Sequence, residues 1–183
     1  MEIVYKDILL LPWKSDFAPG LAEIANNEKI SDNLRDGLPF PYTVQDAHSW
    51  LDSIMPRNDP PQFFAIFYSG TLTGSIGLVL KDNVYRKNIE MGYFLDEHYW
   101  GKGIITKAIL AVSSYAFTTF DILRIYAEVY SDNTGSRRAL EKSGFSCEAV
   151  LKKSIIKKGE IKDSCIYSVL KENFRIEDIE IRE

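Results

Sequence analysis

Cysteine and histidine are almost missing from this chain, with two of each among 183 residues. Cys147 and Cys165 lie in separate apolar stretches without CxxC spacing. They read as reduced strand cysteines, not as a disulfide framework. His48 and His98 are too few and too far apart in sequence to suggest a metal site, so no metal is expected. Long apolar runs are missing too; none approaches the roughly 18 residues of a membrane span. Met1–Leu10 carries Glu2 and Asp7 where a signal peptide would have an apolar core. The expectation is a cytoplasmic protein with no membrane partner. A basic excess is also lacking. Lys and Arg total 22 against 26 Asp and Glu, a formal charge of −4, which reads against a nucleic-acid partner. No internal repeat and no low-complexity segment stands out.

What the chain does have is a core. Its 45% hydrophobic content excludes disorder, and its length suits one domain over 1–183, with a charged tail from 170 onward. Ile8–Trp13 reads as a strand and Phe17–Asn27 as a helix. A polar loop runs from Asn26 to Pro41. Thr43 is an N-cap for a helix through Ile54, stopped at Met55-Pro56, with Asp59-Pro60-Pro61 as a rigid connector. Then the period changes to two. Phe63–Tyr68 and Leu72–Leu80 form a hairpin, and Asn88–Leu95 is the fourth strand. Gly101–Thr119 is an amphipathic helix, Leu123–Tyr130 the fifth strand, and Asn133 or Asp132 caps a short helix ending at Ser143-Gly144. Phe145–Ile156 and Ile161–Leu170 close the chain as a hairpin, followed by a loosely held tail. Meandering strands followed by strand–helix–strand predict an α/β (α+β) fold with helices packed on a mixed sheet.

The segment richest in chemistry is His98-Tyr99-Trp100-Gly101-Lys102-Gly103-Ile104-Ile105-Thr106. It joins a strand to a long helix. Glycines two apart allow a tight turn and close backbone approach. The first amides of a helix lack internal partners and face an anion favourably. The spacing fits a phosphate cradle, but neither a Walker A loop nor a dinucleotide fingerprint. Ile89-Glu90-Met91-Gly92-Tyr93-Phe94-Leu95 leads into it. Asn133-Thr134-Gly135-Ser136 and Glu141-Lys142-Ser143-Gly144-Phe145 follow about thirty residues later.

With these three motifs, in this order and over roughly Ile8–Leu170, the chain resembles the GNAT superfamily of N-acetyltransferases in its RimJ/RimL-like branch. The resemblance implies a mostly antiparallel sheet of about seven strands with about four helices. The sheet would be split into a V between the fourth and fifth strands, near Leu95 and Tyr130. It implies acetyl-CoA as co-substrate, with the pyrophosphate on the Trp100-Gly101-Lys102-Gly103-Ile104-Ile105-Thr106 turn. The pantetheine arm would lie at the splay near Phe94 and Leu95, held also by Asn133 and Ser136. Lys102 is available to phosphate or simply solvated. Many members carry a tyrosine acid in the fourth helix; Leu140 stands there in this chain, so that role does not transfer.

Acetyl transfer to an amine needs a proton acceptor, a polarised carbonyl and a proton for the leaving thiolate. Glu90 is the general-base candidate, an acid in an apolar strand where burial would raise its pKa. Ser136 is the general-acid candidate, matching the branch's Asn-x-x-Ser. Amides around Leu95 suit the carbonyl. Tyr126 and Tyr130 are reserve acids. Cys147 is rejected as a nucleophile. For the acceptor, Trp13, the 26–41 loop and the Lys157–Gly159 tip are the expected walls, with Glu28, Asp32 and Asp36 attracting a cationic amine. An α-amine, with a pKa of ~7.7–8.0, is ~10% neutral near pH 7, whereas lysine at ~10.4 is far less so. A modest base such as Glu90 thus suits an α-amine better, and the resemblance implies a protein N-terminus as acceptor, ribosomal proteins included. A small-amine, polyamine or aminoglycoside acetyltransferase and a non-catalytic acyl-CoA-binding module stay open. A homodimer using the tail is compatible with the sequence.

Overall fold

The computed structural model describes residues 1–55 and 59–182. Nine strands form one sheet in the order β7-β8-β6-β5-β4-β3-β2-β1-β9. They are β1 (Glu2–Tyr5), β2 (Ile8–Pro12), β3 (Phe63–Tyr68), β4 (Thr71–Leu80), β5 (Asn88–Leu95), β6 (Arg124–Tyr130), β7 (Ser146–Lys157), β8 (Glu160–Leu170) and β9 (Glu180–Arg182). The five α-helices are α1 (Ala18–Ala25), α2 (Glu28–Ser31), α3 (Val44–Ile54), α4 (Ile104–Thr119) and α5 (Thr134–Lys142). The sheet is mixed and mostly antiparallel, as expected, but larger than seven strands and four helices. The extra elements are short: β1, β9 and the single turn of α2. None carries a period long enough to stand out in sequence.

Side-chain alternation divides the sheet into two faces. Ile8, Leu10, Phe64, Ile66, Ile76 and Leu78 face α4 in the larger core. Ala65 and its neighbours Phe63 and Phe67 face the other way, onto α1 and α3. Helices therefore cover both faces. Thr43 caps α3 in a reciprocal capping box with Asp46, which satisfies two otherwise orphaned amides. The expected stop at Met55-Pro56 falls partly outside the described residues, since Pro56 is not among them. Both predicted hairpins close through two-residue turns, Ser69-Gly70 and Lys158-Gly159.

The tail is more firmly held than its charge suggested. Phe174 is buried with its ring 5.3 Å from that of Phe117. The Tyr5 hydroxyl donates to Glu177 at 2.6 Å, and β9 pairs with β1. A few apolar anchors and a free sheet edge are enough to offset the charge. Among the described residues no helix is long and apolar enough to cross a membrane.

The feature that makes a site is a break in the sheet. β5 and β6 run parallel and pair only at Asn88↔Arg124, Ile89↔Ile125 and Glu90↔Tyr126. Beyond Glu90 the strands diverge, which is the predicted V at the predicted place.

Candidate active site

Two cavities meet at the V. The first, of about 440 Å³, runs between the diverging strands toward the starts of α4 and α5. The second, of about 680 Å³, lies on the α1/α3 face of the sheet. Gly92, Tyr93, Phe94 and Glu128 line both.

The first cavity is bordered by backbone amides that lack partners. Just past β5 the Asp96 amide donates to the Thr73 carbonyl of β4. By alternation the Tyr93 and Leu95 amides then point the opposite way, into the gap left by β6. The Leu95 carbonyl is taken by the Trp100 indole N–H at 2.7 Å, so Trp100 pins the turn to the strand end. Gly101 and Gly103 both have positive φ, +75° and +73°. Gly103 is the residue from which α4 starts, in a left-handed conformation that side chains with a Cβ resist. A Cβ at either glycine would meet nothing within 4 Å, so it is the backbone conformation that calls for glycine here. Lys107 is the first α4 amide to bond back into the turn, to Gly103. The amides of Ile104, Ile105 and Thr106 are left for an outside acceptor. Trp100, Gly101, Gly103, Ile104 and Ile105 line the cavity, as do Phe94, Leu95, Asn133 and Ser136. Lys102 and Thr106 do not. The Lys102 ammonium lies over the Tyr99 ring at 4.7 Å, and Thr106 is one turn into the helix. Free amides, dipole and open space fit a phosphate-bearing ligand such as acetyl-CoA.

Asn133 caps α5 by accepting from the Ser136 amide at 3.0 Å. The Ser136 hydroxyl is 2.7 Å from the Tyr93 hydroxyl. Burial pushes the Tyr93 phenol up, against a smaller lowering from Ser136, so Tyr93 keeps its proton. Tyr93 belonged to a recognised motif, yet its partnership with Ser136 spans 43 positions and has no local signature.

The second cavity holds a cluster of charged side chains. Glu90 is held by Lys81 at 2.5 Å, by Arg35 at 2.6 Å and by the Tyr126 hydroxyl at 3.3 Å. Burial pushes its carboxyl up, but Lys81 and Arg35 together outweigh burial and leave it below the usual value. The expected upward shift is thus reversed, because the partners come from a neighbouring strand and a distant loop. Glu128, one strand over, accepts from Ser164 at 2.7 Å and from Arg35 at 3.2 Å. Sequence reading passed over Glu128; its only signal was an acid alternating with apolar residues in a strand. Tyr126 and Tyr130 both have partners, Tyr130 donating to the Leu34 carbonyl at 3.0 Å.

Other acceptor-side expectations need correction. Trp13 is only 2% exposed and donates to Ser75 at 3.2 Å; it is core, while Trp50 lines the cavity. Glu28, Asp32 and Asp36 are not free to attract an amine. Lys158 pairs with Glu28 at 2.7 Å and Asp32 at 2.5 Å, and Lys157 pairs with Asp36 at 2.9 Å. These contacts tie the β7–β8 hairpin end to the 28–36 segment, so the predicted closure comes from Lys157 and Lys158. Cys147 is exposed and Cys165 buried, both free thiols.

Residues 7–146 match the family model described as an acetyltransferase (GNAT) domain. The chain belongs to the GNAT acetyltransferases. It is an acetyl-CoA-dependent N-acetyltransferase. The chain is 32% identical over 176 residues to the Bacillus subtilis N-acetyltransferase YnaD, covering 95% of this chain and 99% of that one. It is 28% identical to the Escherichia coli ribosomal-protein-serine acetyltransferase, over 66% of this chain and 70% of the relative. Spermidine N(1)-acetyltransferase of the same species is 27% identical over 57% of each. Among solved structures, the microcin C7 self-immunity acetyltransferase MccE, in complex with acetyl-CoA and AMP, superposes with a TM-score of 0.79 at 26% identity. That match covers 91% of this chain and 93% of MccE.

Proposed function

We propose that this protein acetylates the N-terminal α-amine of a protein, in a ternary complex where the amine attacks the acetyl group directly. The observation that carries this reading is the meeting of two cavities at Gly92–Phe94 and Glu128. Acetyl-CoA supplies the activated acetyl thioester. In this reading the free α4 amides and Gly103 hold its pyrophosphate, and the Tyr93 and Leu95 amides orient and polarise the carbonyl. Glu90 and Glu128 receive the amine. Glu128 borders both cavities, whereas Glu90 borders only the second, so Glu128 is the better-placed base. Ser136, bonded to Tyr93, supplies a proton to the departing thiolate. Acetyl-CoA and nascent chains share the cytoplasm, where this reading puts the enzyme.

The similarity to the ribosomal-protein-serine enzyme supports a chain terminus as acceptor. The roof formed by Lys157 and Lys158 over the 28–36 segment does too, because a chain end threads under a roof where a mid-chain lysine would not. The paired carboxylates and the spermidine-acetylating relative favour a second reading, a small-amine acceptor. Thiol release from acetyl-CoA separates the two when N-terminal peptides and small amines are compared. Glu128→Gln is expected to lower kcat about 100-fold, more than Glu90→Gln does, with acetyl-CoA binding retained. Equal turnover in wild type and Glu128→Gln rejects the assignment.

A further inference from the structure

Arg35 lines the acceptor cavity and reaches two of its carboxylates. The backbone on either side of it is fixed. The Leu34 carbonyl accepts from both Tyr130, at 3.0 Å, and the Lys157 ammonium, at 2.8 Å, and Asp36 pairs with the same lysine. The side chain is held much less. It is 69% exposed, whereas the carboxylates it meets, Glu90 and Glu128, are 14% and 27% exposed. Both contacts are made by one nitrogen, Nη2. A guanidinium held through one nitrogen lacks the bidentate geometry that makes arginine pairs strong.

The charges of the cluster balance. Glu90 and Glu128 give −2, and Arg35 and Lys81 give +2. An amine reaching the cavity near neutral pH is mostly an ammonium. A further cation entering a balanced, half-buried cluster would leave it with an uncompensated charge. The strain is relieved if one resident cation leaves. Lys81 is 28% exposed and lies 2.5 Å from Glu90, so Arg35 is the cation with the shorter route to water. Beyond the two carboxylates the cavity wall turns apolar, with Leu38, Tyr42, Trp50 and Phe63.

We propose that Glu90 and Glu128 form an ammonium subsite, that the Arg35 guanidinium fills it as an internal stand-in, and that a cationic acceptor enters by displacing Arg35. The acceptor class is an organic ammonium with an apolar body. Arg35 is then a specificity-determining side chain: it penalises uncharged molecules, which gain nothing by replacing it. The proposal rests on the reading of this cavity as the acceptor side.

Tetramethylammonium tests the subsite without any chemistry, because its nitrogen has no proton to lose and no lone pair to acetylate. tert-Butanol serves as an uncharged comparator. Titrations followed by NMR are made on wild type, Arg35→Gln and Arg35→Gln/Glu128→Gln. Arg35→Gln is expected to bind tetramethylammonium about tenfold more tightly than wild type, since the subsite is no longer occupied from within. tert-Butanol binding stays the same, and the double variant loses the gain. Equal tetramethylammonium affinity in wild type and Arg35→Gln overturns the proposal, as does a gain that survives in the double variant. Acetyl-CoA calorimetry on the same samples is a separate readout. Its failure in wild type would reject the functional reading, whereas the ammonium titration reports on the subsite alone.

Discussion

The cleft assigned to the donor and the cavity assigned to the acceptor share seven lining residues but differ in what they offer a ligand. The donor cleft offers free backbone amides: strand amides freed by the divergence of β5 and β6, and helix amides freed at Gly103. The acceptor cavity holds a cluster of side-chain charges brought from far apart: Arg35 reaches Glu90 across 55 positions and Glu128 across 93, and Lys157 reaches Asp36 across 121. Backbone amides carry no residue identity, so one cleft serves any chain that splays and turns in this way. Charge pairs carry identity at every atom. The donor side therefore suits a fixed ligand, and the acceptor side is where specificity is free to change.

The largest effect that would break this division comes from Gly92. Its strand neighbours on the same face are Glu90 and Phe94, and a Cβ added there meets nothing within 4 Å. Its φ is not positive, so a side chain brings no backbone strain. Gly92→Leu is expected to fold normally, fill the mouth of the acceptor cavity and lower turnover at least about 100-fold by displacing the amine. Coenzyme A affinity, measured by calorimetry, should change little. Equal losses in turnover and coenzyme A affinity would mean that the two cavities are not separable.

A smaller effect sharpens the charge side. Glu90 has a folded pKa below its ordinary value: burial pushes it up, and Lys81 and Arg35 more than compensate. A depressed carboxyl contributes stability above its unfolded pKa and loses it as pH falls through the folded one. The groups facing Glu90 are Lys81, Arg35 and Tyr126. Lys81→Met removes the closest cation and lets the Glu90 pKa rise. The variant should lose kcat/KM at the acid end of the profile first and keep it at the alkaline end, whereas its stability deficit against wild type is full above the unfolded pKa of Glu90 and shrinks as pH falls. Chemical denaturation and rate profiles across pH check it. An unmoved acid limb would detach Glu90 from the rate.

The same contrast explains what could be read from the sequence. Strand and helix positions followed from period, caps and turns, and β5 is found where it was expected, at Asn88–Leu95. The turn Trp100-Gly101-Lys102-Gly103 and the Asn133 cap were legible because their causes are local: positive φ, orphan amides and an Asx cap. Glu90 was legible as a residue, but the sign of its pKa shift was not. Burial is visible in an apolar strand, whereas Arg35, 55 positions away, is not. Trp13 was misread for the same reason. An aromatic beside a loop looks available until the partner that buries it, here Trp50 at 5.7 Å between ring centroids, is known. The tail failed differently: its charge hid the few apolar residues that dock it.

The smallest test lies where the two regions touch. The Tyr93 hydroxyl comes from β5 and the Ser136 hydroxyl from α5, 2.7 Å apart. If the pair only ties strand to helix, Tyr93→Phe removes one partly buried hydrogen bond, costs about 1 kcal/mol of stability and leaves kcat unchanged. If Ser136 delivers a proton to the thiolate, Tyr93 fixes the direction of that hydroxyl. Tyr93→Phe then lowers kcat about tenfold with KM nearly constant. Ser136→Ala should cost at least as much, and the double variant should be little worse than Ser136→Ala alone, because residues acting as one unit are not additive. Additive losses would show two independent contributions and leave the thiolate to be protonated by water. The outcome decides whether the donor cleft adds a side-chain function to its free backbone amides.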